Sequence, residues 1–271
     1  MTNRPGAVPF TRRTPRVVAA SRLHRRRERD GARRFLAEGP QAVREALASA
    51  DVIEVYATDE ALARHPDLAA GAHVVAPDAL ATLAETVAPQ GIVAVCRYRD
   101  VPLAAALAKA PRLVAVLVEI RDPGNAGTVL RTADAAGAGA VVFAGDAVDP
   151  YNGKCVRATA GSLFHVDVVR GAQAGEAIAE LRGAGLRVLA ADGYGEADLD
   201  ELADAGELAA PTAWLFGSEA HGLPGGVKAA ADARVRVPLH GRAESLNLAA
   251  AAAVCLYTSA RAMRSSGEPS W

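Results

Sequence analysis

Residues 113–120 read Leu-Val-Ala-Val-Leu-Val-Glu-Ile, and this run constrains the fold more than any other stretch of the chain. A strand with one wet face alternates apolar and polar residues. Near-continuous apolarity instead suits a strand covered on both faces, as in a parallel sheet held between helices. Similar runs recur at residues 140–144, 164–169, 186–191, 213–216 and 234–238. Helical stretches lie between them, among them 126–136, 176–182 and a long last helix over 246–262. Strands alternating with helices predict an α/β fold built on a mostly parallel, doubly wound sheet. A smaller α/β unit precedes it, with strands at 35–38, 52–57, 72–75 and 92–96. One of its helices follows Gly39-Pro40 and another starts at Pro77-Asp78. A short helix over 102–111 marks the boundary between the two.

Charge is distributed unevenly. Residues 1–34 hold eleven arginines against Glu28 and Asp30, a net +9 in a chain whose formal charge is −1, so the remainder carries about −10. Such asymmetry points to an arm or face that meets a polyanion, and the acidic, aliphatic remainder is a poor main surface for nucleic acid. Residues 1–20, rich in Arg, Pro and Thr, read as a basic mobile arm, and a solvated tail is the other reading of the same run. Arg22, Arg25, Arg26 and Arg27 follow in a partly helical pattern and are candidate RNA contacts.

Several classes are disfavoured. Cys96, Cys155 and Cys255 are widely spaced with no Cys-x-x-Cys, so neither a disulfide framework nor a zinc site is expected, and a reducing cytosol fits. The basic N-terminus lacks an apolar signal core, and no stretch of ~18 uncharged apolar residues suggests a membrane span. No Gly-x-Gly-x-x-Gly follows a strand, and Gly153-Lys154 lacks the rest of a P-loop. No Gly-x-Ser-x-Gly elbow is present.

Three segments remain in which polar residues stand where an apolar strand ends: 122–137, 215–223 and 237–253. Open α/β sheets bind ligands at such strand ends. In the first, Asp122-Pro123-Gly124-Asn125 signals a turn, and Arg131 follows near the start of a helix, where a guanidinium can hold a phosphate or a developing oxyanion. The alternative for Arg131 is a surface ion pair. In the second, Gly217 permits close approach to the backbone, and Glu219 either orients a polar group or favours a helix start. In the third, Ser245 reads as a possible helix N-cap, whereas Asn247 within an apolar helix needs partners. His221 and His240 read as ordinary loop histidines.

Together these segments resemble the three signature motifs of the SpoU (TrmH-like) branch of the SPOUT RNA methyltransferases. Asn125, Gly127 and Arg131 match the first; Gly217, Glu219, Gly222 and Leu223 the second; Ser245, Leu246 and Asn247, after Val237-Pro238-Leu239, the third. The likeness runs over about residues 113–263 and extends to 149–164; more loosely, residues 22–47 resemble the start of the ribosomal-RNA-type members. It departs at Leu248-Ala249, where relatives often carry Val-Ser. The resemblance implies a trefoil-knotted, mostly parallel sheet with flanking helices over residues 111–271, and a small N-terminal α/β domain over 21–105 that binds the RNA substrate. It implies S-adenosylmethionine as cofactor, contacted by Gly217, Val237, Leu239 and Leu246. It implies a catalytic set of Asn125, Arg131, Glu219, Ser245 and Asn247, with Arg157 joining the N-terminal arginines on RNA. It further implies a cytoplasmic homodimer, using no metal, that methylates a ribose 2'-hydroxyl, with 23S ribosomal RNA favoured. The alternatives are a transfer-RNA 2'-O-methyltransferase or a non-catalytic RNA-binding or ribosome-assembly protein of the same fold.

Overall fold

The structure is a computed structural model that describes residues 8–49 and 51–265. In chain order the elements begin with α1 (Pro15–Ser21), α2 (Arg26–Ala32), β1 (Arg34–Glu38), α3 (Pro40–Ala48), β2 (Val52–Ala57), α4 (Asp59–Arg64), β3 (Ala72–Val74), α5 (Pro77–Ala81) and β4 (Ile92–Arg97). Then come α6 (Leu103–Leu107), β5 (Leu113–Val118), α7 (Pro123–Ala135), β6 (Ala140–Ala144), α8 (Gly153–Thr159), β7 (Asp167–Ala172), α9 (Ala174–Gly183) and β8 (Arg187–Ala191). The chain continues with β9 (Ala197–Asp198), α10 (Leu199–Asp204), β10 (Thr212–Phe216), α11 (Gly225–Ala230), β11 (Ala233–Arg236) and α12 (Leu248–Ser265). These form two compact units. One takes the chain up to Arg99 together with Asp149–His165; the other takes Asp100–Val148 and the chain from Val166 onward. The chain is therefore divided differently from a single linear boundary, because α8 and its flanks pack with the first unit.

In the first unit the strand order is β1-β4-β2-β3, antiparallel except for the β2–β3 pair. Its core gathers Leu36, Tyr56, Val75, Leu80, Leu83, Val93 and Val95 with Val17, Ala20 and Leu23. Val17 and Ala20 are three apart on α1 and so share one face of the helix. That apolar face carries the stretch into the core, so the mobile-arm expectation does not hold over residues 15–20. Residues 1–7 of the expected arm lie outside the described residues.

The segment Asp149–His165 is held to this unit by charge. Arg29 on α2 donates from Nε and Nη2 to Asp149 Oδ2, at 3.1 and 2.7 Å, and from Nη1 to the carbonyls of Leu23 and His24 at 2.9 and 2.8 Å. Asp149 Oδ1 accepts the Tyr151 amide at 3.0 Å. Both side chains are only 4% exposed. Burying two charges is tolerable here because both are paired and the surrounding lone pairs and protons are occupied. Nearby, Arg157 Nη1 on α8 donates to Glu38 and Glu85 at 3.2 and 3.3 Å. His24 places Nδ1 3.2 Å from Glu85 Oε1 and Nε2 3.0 Å from the Thr82 carbonyl. Both partners are acceptors, which favours the doubly protonated ring, and the hydrogen bond to Glu85 raises the His24 pKa above its ordinary value.

In the second unit seven strands run in the order β7-β6-β5-β10-β8-β11-β9, and every pairing is parallel. All six residues of β5 are buried, as a two-faced strand requires. Alternate residues serve opposite faces. Val114, Val116 and Val118 join Val142, Val188 and Leu215 beneath α6, α9 and α11. On the other face α7 and α12 cover the sheet, and Trp214 Nε1 donates to Ser259 on α12 at 2.9 Å. The strand expected over 164–169 is displaced: Ser162–Phe164 is a 3-10 turn and β7 starts at Asp167, because Ala160 and Gly161 take left-handed backbone (φ 50° and 103°) and break the path.

Truncating Asp149 to Ala leaves the Arg29 guanidinium buried without its counter-charge. The expected loss is about 3–5 kcal/mol in the unfolding transition of the first unit, measured by urea titration. A loss below about 1 kcal/mol would show that the pair does not hold the segment in place.

Candidate active site

The sheet winds outward in two directions from its middle. After β5 the chain proceeds to β6 and β7 on one side, while β10 lies on the other. The boundary between β5 and β10 is therefore a switch point, where the connections at the carboxyl ends diverge and leave a crevice. The first two polar segments leave the sheet here.

Beyond β5, Glu119 takes left-handed backbone (φ 54°) and Ile120 is buried. Asp122 then caps α7, its Oδ1 accepting the Asn125 amide at 2.8 Å, with Pro123 at the first helical position. The helix thus begins at Pro123 rather than near residue 126. Asp-Pro-Gly-Asn serves as cap and first turn, which is what an acceptor followed by proline favours. Asn125 consequently sits on the rigid first turn of a helix.

Beyond β10, Ser218 and Gly222 exchange both backbone hydrogen bonds, at 3.1 and 2.8 Å, closing a tight loop with Glu219 on it. A Cβ on Gly217 would stand 2.2 Å from the Gly222 carbonyl carbon and 2.3 Å from the Leu223 nitrogen. The chain's own close approach already requires glycine there.

Beyond β11 the chain runs through residues 237–247 to α12. That helix begins at Leu248, two residues later than expected, and Asn247 is its cap: Oδ1 accepts the amides of Ala249 and Ala250 at 2.9 and 3.4 Å. This resolves the question of an Asn inside an apolar helix, and Ser245 lies outside the helix.

The three segments meet in one hydrogen-bonded chain of two side-chain amides and a carboxylate. Asn247 Nδ2 donates to Asn125 Oδ1 at 3.3 Å, and Asn125 Nδ2 donates to Glu219 Oε1 at 2.7 Å. Because the oxygen of Asn247 is committed to the helix cap, its amide group must donate. Asn125 must then accept from Asn247 and donate to Glu219. A cleft of about 720 Å³ opens beside this chain. Its walls come from Gly217, Ser218 and Glu219 after β10, Val237, Leu239, Ser245, Leu246 and Asn247 after β11, and Asp192 and Gly193 after β8. Leu239 and Leu246 are 41% and 39% exposed on this wall. At Asp192, Oδ2 is buried and accepts no hydrogen bond; Lys228 Nζ and Arg234 Nη1 stand 3.4 and 3.7 Å away. Two cations thus already face that oxygen, and the cleft's apolar walls with the Glu219 carboxylate suit a ligand that combines apolar and hydrogen-bonding parts.

The expected site residues therefore divide. Glu219, Ser245, Asn247, Gly217, Val237, Leu239 and Leu246 border one cleft, and Asn125 is bonded to it. Arg131 is apart: six residues beyond Asn125 on α7, it lies about 9 Å further along the axis and roughly 240° around it. It is exposed and makes no hydrogen bond or ion pair with the described residues. Arg22, Arg25, Arg26 and Arg27 are exposed, and only Arg26 has an acidic partner, Asp30 at 3.6 Å. Arg157 does not join them. Its guanidinium is neutralised by Glu38 and Glu85, which leaves it a structural ion pair instead of a free phosphate ligand. Sequence reasoning missed Asp192 and Gly193. Their position at the end of the strand expected over 186–191 was the available signal. Burial pushes the Cys255 thiol up to about 12 and the Cys96 thiol higher still, which removes both as nucleophiles. Among the described residues no group of three or more His, Cys, Asp or Glu could hold a metal.

A parallel α/β domain with its polar residues gathered at the switch point is an architecture shared by many enzymes, and comparison with known proteins narrows it. Residues 112–257 match the SpoU rRNA Methylase family, and residues 14–94 match the MRM3-like substrate binding domain. The chain belongs to the SpoU rRNA methylase family. It is 37% identical over 240 residues to the 23S rRNA (guanosine(2553)-2'-O)-methyltransferase RlmP of Bacillus subtilis, covering 87% of this chain and 92% of that protein. The AdoMet-bound rRNA methyltransferase of Sinorhizobium meliloti superposes with a TM-score of 0.78 at 32% identity, covering 92% and 95% of the two chains. The SpoU methyltransferase AviRb of Streptomyces viridochromogenes, in complex with AdoMet, superposes with a TM-score of 0.79 at 29% identity, covering 94% and 100%.

The two duties of Asn247 can be separated. Asn247→Ala removes both the cap and the bond to Asn125 and is expected to cost about 1 kcal/mol or more in thermal or urea unfolding. Asn247→Asp keeps an acceptor for the cap and is expected to stay within about 0.5 kcal/mol of the parent, while losing the donor to Asn125. Equal losses for both variants would show that the cap carries none of the stability.

Proposed function

We propose that this chain transfers a methyl group from S-adenosylmethionine to a ribose 2'-hydroxyl of 23S ribosomal RNA, acting as a cytoplasmic homodimer. The observation that carries the reading is the oriented Asn247–Asn125–Glu219 chain, which joins the segments after β11, β5 and β10 and borders the cleft. Gly217, Val237, Leu239 and Leu246 would hold the cofactor, with the wall from Val237 to Leu246 against its apolar parts and the Glu219 carboxylate facing the same cleft. When bound, S-adenosylmethionine supplies a methyl group already made electrophilic by the sulfonium, so the protein's task is to present an oxygen nucleophile in line. The trefoil-knotted path of the chain through this cleft is part of the proposal, as are the boundaries at residues 21–105 and 111–271.

Each polar residue has a task that follows from its geometry. Asn125 is fixed by the α7 cap, by the Asn247 amide and by the Glu219 carboxylate, so it can position a ribose hydroxyl without moving. Glu219 uses Oε1 on Asn125, and its second oxygen is available to a substrate hydroxyl. Ser245, on the cleft wall, offers a further hydroxyl to the ribose. A guanidinium group is a poor general base. That of Arg131, exposed and unpaired among the described residues, is instead suited to gripping a phosphate beside the reacting nucleotide. Arg22, Arg25, Arg26 and Arg27, on the substrate-binding domain, are the phosphate-contacting residues of this reading.

Two experiments test it. Labelled methyl transfer to 23S RNA lacking native modifications is expected with the wild-type protein. Arg131→Ala is expected to lower it by about 10²-fold or more while leaving cofactor affinity nearly unchanged. Normal turnover by that variant would remove Arg131 from the catalytic set. Replacing Arg22, Arg25, Arg26 and Arg27 together by Gln is expected to flatten the plot of log affinity against log salt, by about 0.7–0.9 for each phosphate that the protein no longer neutralises. An unchanged slope would return these arginines to solvent.

A further inference from the structure

The loop after β8 carries Tyr194, whose side chain is 92% exposed. A single exposed aromatic residue means little by itself, but this one is presented by a turn with unusual support. The Asp192 amide donates to the Val235 carbonyl at 3.0 Å, and its own carbonyl accepts the Gly195 amide at 2.8 Å. Asp192 Oδ1 accepts the Tyr194 amide at 3.2 Å. Arg236 Nη1 donates to the carbonyls of Gly195 and Glu196, at 3.2 and 3.1 Å, while its Nη2 pairs with Asp198 at 3.1 Å. Gly195 lies so close to the next strand that a Cβ would stand 2.5 Å from the Arg234 carbonyl oxygen. The turn is therefore fixed from both sides, yet its largest side chain touches solvent. The two residues before Tyr194, Asp192 and Gly193, line the same cleft as Glu219, Leu246 and Asn247.

A rigid backbone that presents an aromatic face at the rim of a cleft loses little conformational entropy when a flat partner binds. The flat partner available at an RNA-modifying site is a nucleobase, which stacks on Tyr whatever its identity. One cation stands on the other loop bordering the cleft: Arg242 is exposed and free of ion pairs among the described residues, and can meet a neighbouring phosphate. We propose that Tyr194 is a positioning residue that stacks on an RNA base next to the nucleotide whose ribose enters the cleft. The proposal rests on the RNA 2'-O-methyltransferase reading above.

The test is steady-state methyl transfer to unmodified 23S RNA by the full chain and by Tyr194→Ala, Tyr194→Leu and Tyr194→Trp, with KM measured separately for RNA and for S-adenosylmethionine and with oligomeric mass recorded. For Ala and Leu the KM for RNA is expected to rise about tenfold, equivalent to ~1.4 kcal/mol of lost stacking. Their kcat and their KM for S-adenosylmethionine should stay within about twofold of wild type, and Trp should restore the RNA value. Restoration by Leu as fully as by Trp would overturn stacking, since an apolar contact would then suffice. An RNA KM unmoved in all three variants would overturn the proposal while leaving the methyltransferase reading intact. So would a rise confined to S-adenosylmethionine, or a change in oligomeric mass. Absence of transfer by the wild type would overturn both.

Discussion

The site depends on one constraint at the start of the last helix. A helix leaves its first amides without partners, and Asn247 supplies the missing acceptor. That commitment fixes which end of its side chain faces Asn125, and so which end of Asn125 faces Glu219. Ser, Thr and Asp cap helices about as well, but none of them offers an acceptor to the helix and an amide donor to its neighbour in the same way. A secondary-structure requirement is thereby converted into a defined polarity at the mouth of a cleft, running from the helix cap to the Glu219 carboxylate.

The sheet supports this arrangement by having two apolar faces. Each residue of β5 meets helices on one side or the other, with Val114, Val116 and Val118 in the layer under α6 and α9. Trp214 on the opposite face reaches Ser259 of α12. The helix that carries the Asn247 cap is thus fixed along its length as well as at its tip. Close packing of this kind lets side chains be held within a few tenths of an ångström, which the alignment of a reacting oxygen demands.

Much of this was legible in the sequence because its signals are local. The apolar run over 113–120 announced a two-faced strand, and all pairings in the large sheet are parallel. The polar residues after the strands announced a site, and seven of the nine expected residues border one cleft, with Asn125 bonded to it. What was misread depended on partners distant in sequence. Arg157 looks like a free cation until Glu38 and Glu85 are beside it. Gly217 carries a second constraint that the sequence does not show, because Gly222 and Leu223 leave no room for a Cβ there. The start of α1 looked mobile because its arginines and prolines dominate the composition, while two small apolar residues decide where it packs. Tyr194 gave no signal at all, since exposure of an aromatic residue is a property of the folded chain alone.

The buried pair of Arg29 and Asp149 joins residues 120 positions apart. Contacts this distant are slow to form, because the intervening chain must first be closed into a loop. Residues that complete the first unit emerge from a ribosome only after β5, α7 and β6 of the second unit have been made. The two units therefore cannot finish folding in the order in which they are synthesised. The N-terminal unit must wait, with a buried arginine's site still open, while β5, α7 and β6 of the second unit have already been made.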